Sequence, residues 1–227
     1  MGRPKLLLPW GRTSILGHII GQWQTLGAKQ ILLVTRPNDS DLHQELARLG
    51  YYPEDHPQPH SAKIPLINTP LQRGETAPSA GQTASAVFPE PSAIENPNPD
   101  LGMFSSIQCA ARWEGWNCAI HSYAIALADQ PQIRTESLRQ FLRFHSANPD
   151  AICQPSFEGH ARHPVLLPKP AFNELKTTTA SNLNDFLRLI AFHKVQCPIN
   201  DPGLAFDVDT PEDYERVHSE LQSQAPL

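Results

Sequence analysis

Apolar residues recur at helical spacing near the start of the chain. After Thr13 or Ser14, either of which fits an N-cap, Ile15, Leu16, Ile19, Ile20, Trp23 and Leu26 form one stripe that stops at Gly27. This pattern predicts an amphipathic helix laid on a sheet. The next run, QILLVT, is short and uninterrupted, as expected of a strand buried on both faces. SDLHQELARLG then predicts a second capped helix with Leu42, Leu46 and Leu49 inward. Helix, strand, helix in this order predicts a parallel α/β sheet.

The pattern fails from Pro53 onward. Prolines, serines and alanines break every period, and few large apolar residues remain to offset the entropy of ordering. Residues 53–97 are therefore expected to form a proline-rich, disordered insert, with a weak strand pattern at Lys63 to Ile67. Order returns with GMFSSIQCAARW, a helix started by glycine, and with CAIHSYAIALADQP, the most strand-like segment of the chain. TESLRQFLRFHSAN predicts a helix carrying Leu138, Phe141, Leu142 and His145 on one face, followed by a short strand at AICQP. RHPVLLPKPAF, the helix NLNDFLRLIAFH and the strand KVQCPI continue the alternation. The final helix opens at TPED, with Thr210 as N-cap, Pro211 at the first helical position and Asp213 reaching back as a capping-box acid.

Length and charge narrow the function classes. The 227 residues suit a single domain, 1–227, with a substantial core. A net charge of −5 without a basic run disfavours a nucleic-acid partner, because neutralising a phosphate backbone takes clustered Lys and Arg. Cys109, Cys118, Cys153 and Cys197 form no C-x-x-C pair, so neither a zinc knuckle nor a redox motif is indicated, and reduced thiols are expected. No apolar run approaches the roughly 20 residues that cross a bilayer, and no secretion signal is recognisable. A cytoplasmic location without membrane contact is expected.

Acids and one lysine are the candidate chemistry. Asp129 is read as ending the strand AIALAD, and the carboxyl edge of an open sheet is where ligands bind. Its partner is a metal ion or a backbone amide of Gln130 or Ile133. In FDVDTPED, Asp207 and Asp209 lie on an extended segment, and only one of them is expected to face that crevice, Asp213 belonging to the helix cap. Two acids from distant parts of the chain sharing one Mg²⁺ would suit phosphoryl or nucleotidyl transfer. Lys5, with Arg3 and Arg12 nearby, could supply the cationic side; Ser105 and Ser106 could bind a base or phosphate, or simply cap the helix they begin. His163, alone before a proline, is read as structural.

Taken in order, MGRPKLLLPWG, NPNPDLGMFSS, ALADQP, HPVLL and FDVDTPEDY resemble the motifs of the MobA-like NTP transferases, with the first wording closest to the molybdenum cofactor cytidylyltransferase (MocA-like) branch. The resemblance implies an α/β, Rossmann-like, mainly parallel sheet flanked by helices, of the nucleotide-diphospho-sugar transferase type. The family's first strand and the A-A-G half of its signature loop do not precede Met1, so that strand is expected to be missing. By the same resemblance, Lys5 contacts phosphate, Asp129 holds Mg²⁺, and Asp207, with Asp209 as a further candidate, completes the metal site. Gly102, Ser105 and Ser106 lie near the nucleotide. The implied substrates are an NTP, CTP favoured, and a phosphorylated small molecule such as the molybdopterin cofactor, with pyrophosphate as product. Two alternatives stay open: a degenerate relative that binds without turnover, and a sugar-phosphate nucleotidyltransferase. Arg162 stands where glycine often precedes His-Pro in this family, and TTTASNLNDFLR lacks the common G-D-x-G-A-R pattern.

Overall fold

The computed structural model describes residues 4–51 and 91–223. A 3-10 turn, Lys5–Leu7, leads into two short strands, β1 (Pro9–Trp10) and β2 (Thr13–Ser14), paired antiparallel around Gly11 at φ +59°. Ser14 supplies the cap of helix α1 (Ile15–Thr25), its Oγ accepting from the Gly17 amide at 3.0 Å. Ile15, Leu16 and Ile20 are buried as the stripe requires. Strand β3 (Leu32–Thr35) and helix α2 (Ser40–Arg48) follow; Asp39 caps α2 by accepting from Leu42 N at 3.1 Å. Leu42 and Leu46 are buried beneath it.

Strand β4 (Ser92–Glu95) pairs parallel with β3, Leu32 opposite Ser92 and Thr35 opposite Glu95. The expected insert therefore ends earlier than residue 97. Backbone pairing accounts for the difference. Ser92 N donates to Ile31 O at 2.8 Å and Asn96 N to Thr35 O at 2.9 Å, so a segment with little apolar content is held by its main chain. The rest of that stretch, including the strand pattern at Lys63 to Ile67, lies outside the described residues.

Helix α3 (Met103–Arg112) begins directly after Gly102 and leads to strand β5 (Ser122–Ile125) and helix α4 (Thr135–Ser146). Then come strands β6 (Ile152–Phe157), β7 (His160–Ala161) and β8 (Val165–Pro168), helices α5 (Lys169–Glu174) and α6 (Leu183–Leu189), strand β9 (Lys194–Pro198) and helix α7 (Pro211–Ser223). The five-stranded sheet runs β5, β8, β6, with β6 also pairing β7 and β9. The α/β class holds, but this sheet is mixed rather than mainly parallel. Only β6 and β9 run parallel in it; β5–β8, β8–β6 and β6–β7 are antiparallel. The chain turns back at Glu158 and Gly159, both at positive φ, and returns beside β6 without a helical crossover. A fully buried run such as VLLP reads the same in either direction, so its periodicity carries no information on orientation.

Alternation along β6 and β8 sends side chains to two cores. Ile152, Val165 and Leu167 join Phe104 of α3, Phe172 of α5 and Phe186 of α6 on one face. Cys153 and Leu166 meet Leu138 and Phe141 of α4 on the other. Tyr123 and Phe172 stack at 3.9 Å between ring centroids. All four cysteines are free thiols. No helix among the described residues is long and apolar enough to cross a membrane.

Candidate active site

Strand β5 ends at Ile125, where its last partner is Val165 of β8; Pro164, next along that chain, has no amide to continue the ladder. Asp129 is thus not the last residue of the strand, as the sequence suggests, but sits four residues beyond it in a turn. There its Oδ2 accepts from Lys5 Nζ at 2.8 Å, and the same ammonium donates to Asp209 Oδ1 at 2.8 Å. Three parts of the chain meet at one charge: the first turn, the loop after β5 and the segment before α7. The carboxylate and ammonium at the centre are about three-quarters and two-thirds covered, whereas the Asp209 side chain is 66% exposed.

The segment carrying Asp207 and Asp209 is fixed from beneath. Val208 is buried against Trp10, Ile15 and Val217, and its amide donates to the Asp129 carbonyl at 2.9 Å. Residues two apart on extended backbone share a side, so the expectation that only one of the two acids faces the crevice is corrected. With Val208 turned inward, Asp209 reaches Lys5 and Asp207 accepts from Gln130 Nε2 at 2.8 Å. Gln130 is buried, and nothing in the sequence marks it beyond its place next to Asp129. Helix α7 is capped as predicted: Thr210 Oγ1 donates to Asp213 Oδ2 at 2.7 Å and accepts from Asp213 N at 3.1 Å.

Electrostatics follow the geometry. Burial alone would lower the Lys5 pKa, but hydrogen bonds and charge from Asp129 and Asp209 outweigh it and hold the ammonium above its ordinary value. Asp129 Oδ1, by contrast, is enclosed and has no hydrogen-bond partner among the described residues. Neither backbone amide that the sequence offers as a partner, Gln130 or Ile133, donates to it. Arg12 is exposed and takes no part in the cluster, and Arg3 lies outside the described residues.

A second polar group lies past the carboxyl end of β4. Asn96, 3% exposed, donates from Nδ2 to Ser105 Oγ at 2.7 Å and Ser106 Oγ at 3.0 Å, and its Oδ1 accepts from Asn98 N at 3.0 Å. The serines are therefore not caps. Gly102 occupies the N-cap position of α3 at φ +81°, where L side chains are strained, and the Ser105 hydroxyl turns back toward its carbonyl at 2.7 Å. Asn96 escapes sequence reading because it sits inside the proline-rich stretch. No hydrogen bond or ion pair among the described residues joins this group to Lys5 and Asp129; each lies beyond the carboxyl end of its own strand, where open α/β sheets bind ligands.

His163 completes the Asp129 side. Its Nδ1 lies 3.4 Å from the Ile125 carbonyl at the end of β5. Burial holds the imidazole below its ordinary pKa, against the pull of that hydrogen bond and of the Asp207 and Asp129 charges. A histidine read as merely structural is thus within charge range of two of the acids. The adjacent Arg162 donates its amide to Pro155 O at 2.8 Å, while its side-chain Nε is enclosed without a partner among the described residues.

The profile of the MobA-like NTP transferase domain matches residues 77–195, just over half of the chain. The chain belongs to the MobA-like NTP transferase family. Membership makes it a nucleotidyltransferase, and the matched span includes Gly102, Ser105, Ser106, Asp129 and His163. Solved structures share the fold of this MobA-like protein. Rv0371c from Mycobacterium tuberculosis H37Rv, solved in complex with manganese, is 20% identical with a TM-score of 0.56, covering 96% of this chain and 93% of that one. Molybdopterin-guanine dinucleotide biosynthesis protein A from Archaeoglobus fulgidus is 14% identical, TM-score 0.53, covering 98% and 93%. The 4-diphosphocytidyl-2C-methyl-D-erythritol synthase from Anaerococcus prevotii is 8% identical, TM-score 0.61, covering 96% and 93%. No curated protein matches by sequence.

Proposed function

We propose that the protein transfers a nucleotidyl group, CMP from CTP by preference, to a phosphorylated acceptor such as the molybdopterin cofactor, using Mg²⁺ and releasing pyrophosphate. The observation that carries this reading is Lys5 bridging Asp129 and Asp209 while Asp129 Oδ1 stands enclosed and unpartnered. A buried acceptor without a donor costs about 1–3 kcal/mol. A cation is the partner that such an oxygen suits.

Among the described residues no three Asp, Glu, His or Cys side chains close on one point. Mg²⁺ needs no such cage, because it is held through one or two carboxylates and keeps water or substrate phosphate as its other ligands. Asp129 and Asp209 fit that requirement, with Asp207 beside them on Gln130. Held by those carboxylates, Mg²⁺ would supply positive charge against that developing on the phosphate in flight.

The chain's own groups bind and orient. Lys5 has three N–H donors and spends two on carboxylates, leaving one for a phosphate oxygen. Among the described residues a Cβ at Gly102 would meet nothing within 4 Å, so the backbone in front of α3 is open, with Ser105 and Ser106 fixed behind it by Asn96. An acceptor phosphate oxygen attacks the α-phosphorus in line. The bond to the bridging oxygen breaks, and pyrophosphate departs with the electron pair. Positioning and charge neutralisation supply the acceleration, and no protein nucleophile takes part.

Calorimetric titration with CTP, GTP and ATP in Mg²⁺ tests the reading. CTP is expected to bind most tightly, with affinity reduced at least tenfold in Asp129→Ala. If none of the three nucleotides binds the unmodified chain, the proposal fails.

A further inference from the structure

We propose that Arg162 is the specificity-determining anchor for the acceptor, its guanidinium fork binding the acceptor's phosphomonoester beside the Asp129 and Asp207 carboxylates. This rests on the nucleotidyl-transfer reading above. Three observations converge on it.

Arg162 is an unspent cation. Its Nε is enclosed without a partner, and its side chain makes no hydrogen bond or ion pair among the described residues. Of the other arginines described, only Arg12 and Arg36 are also unpaired, and both are exposed. A desolvated guanidinium nitrogen left without an acceptor is costly, and two oxygens of a phosphate satisfy Nε–H and Nη–H together.

The backbone around it is fixed at the correct edge. The Arg162 amide is tied to Pro155 of β6, and His163 is tied to the last residue of β5, the strand that leads to Asp129. The charges of Asp207 and Asp129 both reach that histidine.

The charge balance also calls for a second cation. Asp129, Asp207 and Asp209 set against Lys5 alone leave two negative charges, which one divalent cation cancels. An acceptor phosphate brings its own charge to a site whose lysine is already doubly engaged. Among the described residues, Arg162 is the unpaired arginine with an enclosed donor to meet it.

The test follows the Arg162 Nε–H resonance and neighbouring amides by NMR while phenyl phosphate is titrated, with and without Mg²⁺ and CTP. We expect the Arg162 signal to move saturably and the amides around His163 to report at least tenfold weaker phosphate binding in Arg162→Gln. Arg162→Lys, which keeps charge but loses the fork, should fall between, and unchanged amide dispersion will show that both variants fold. A stationary Arg162 signal, or unweakened phosphate binding in Arg162→Gln, overturns the proposal. So does a signal that answers to CTP alone, which would assign the residue to the nucleotide. Failure of CTP to bind sinks the nucleotidyl-transfer reading separately, since the phosphate titration reads out without it.

Discussion

The amide of Val208 donates to the carbonyl of Asp129 at 2.9 Å, so the two loops that carry the acids are joined through their backbones. Val208 is also 1% exposed, and its side chain packs under the cluster with Trp10 and Ile15. We expect Val208→Ala to lower stability by about 1.5–2 kcal/mol, two buried carbons plus a small cavity, as measured by urea unfolding. Nucleotide affinity should fall with it, because Asp207 and Asp209 lose their common support. Unchanged affinity in a destabilised variant would show that the support is dispensable.

Lys5→Met separates binding from stability. The ion pairs are partly exposed, so their loss should change unfolding free energy by no more than about 1 kcal/mol. CTP affinity should nevertheless drop tenfold or more, since two carboxylates would face the triphosphate without a cation. A large stability loss with intact binding would reverse these assignments.

Asp129→Asn should reduce turnover by about 10²–10³, the scale of removing one pre-organised electrostatic contact. Asp209→Asn should cost less, because its side chain is mostly exposed and shares Lys5 rather than enclosing an unpartnered oxygen. Comparing kcat for the two variants decides the order, and a larger loss at position 209 would contradict it.

Acid should weaken the fold through two histidines, the buried His145 and the half-buried His18. Burial holds His18 and His145 below the ordinary value of 6.5, favouring their neutral forms in the folded state. The unfolded chain therefore binds more protons just below that pH. Their contribution is fully present above 6.5 and is lost as pH falls toward the lowered folded values. His145→Gln should flatten the slope of unfolding free energy between neutral and mildly acidic pH. An unaltered slope would remove His145 from the account.

Asn96→Ala should cost about 2 kcal/mol, because it strips hydrogen bonds from two serine hydroxyls and the Asn98 amide at a buried position. Thermal unfolding would show it. A neutral result would mean that water replaces the amide.

The helices were the most legible part of the chain. Ser14, Gly102 and the Thr210–Asp213 box mark starts through local chemistry that tertiary packing does not alter. Lys5 and Asp129 could be nominated from residue type and position, and they do meet, but the second acid on Lys5 is Asp209 rather than the first-named Asp207, which accepts from Gln130 instead. What sequence could not supply was relation across distance. Sheet direction depends on how the chain returns after Gly159, which a buried VLLP does not encode. Strand β4 is held by its main chain, so its side chains gave no signal. The shared side of Asp207 and Asp209 follows from two-residue periodicity once Val208 is known to point inward. Gln130 and Asn96 are polar residues whose importance comes from burial, and burial is a property of the fold.

Strand β6 bonds to three neighbours, whereas the acids and Lys5 sit in loops and a single turn at the rim. Opening free energy should be graded accordingly, with amide protons of the central ladder exchanging through near-global unfolding and those around residues 129 and 208 through small local excursions. Such a gradient lets the rim loosen during each encounter with a ligand while the scaffold keeps its register.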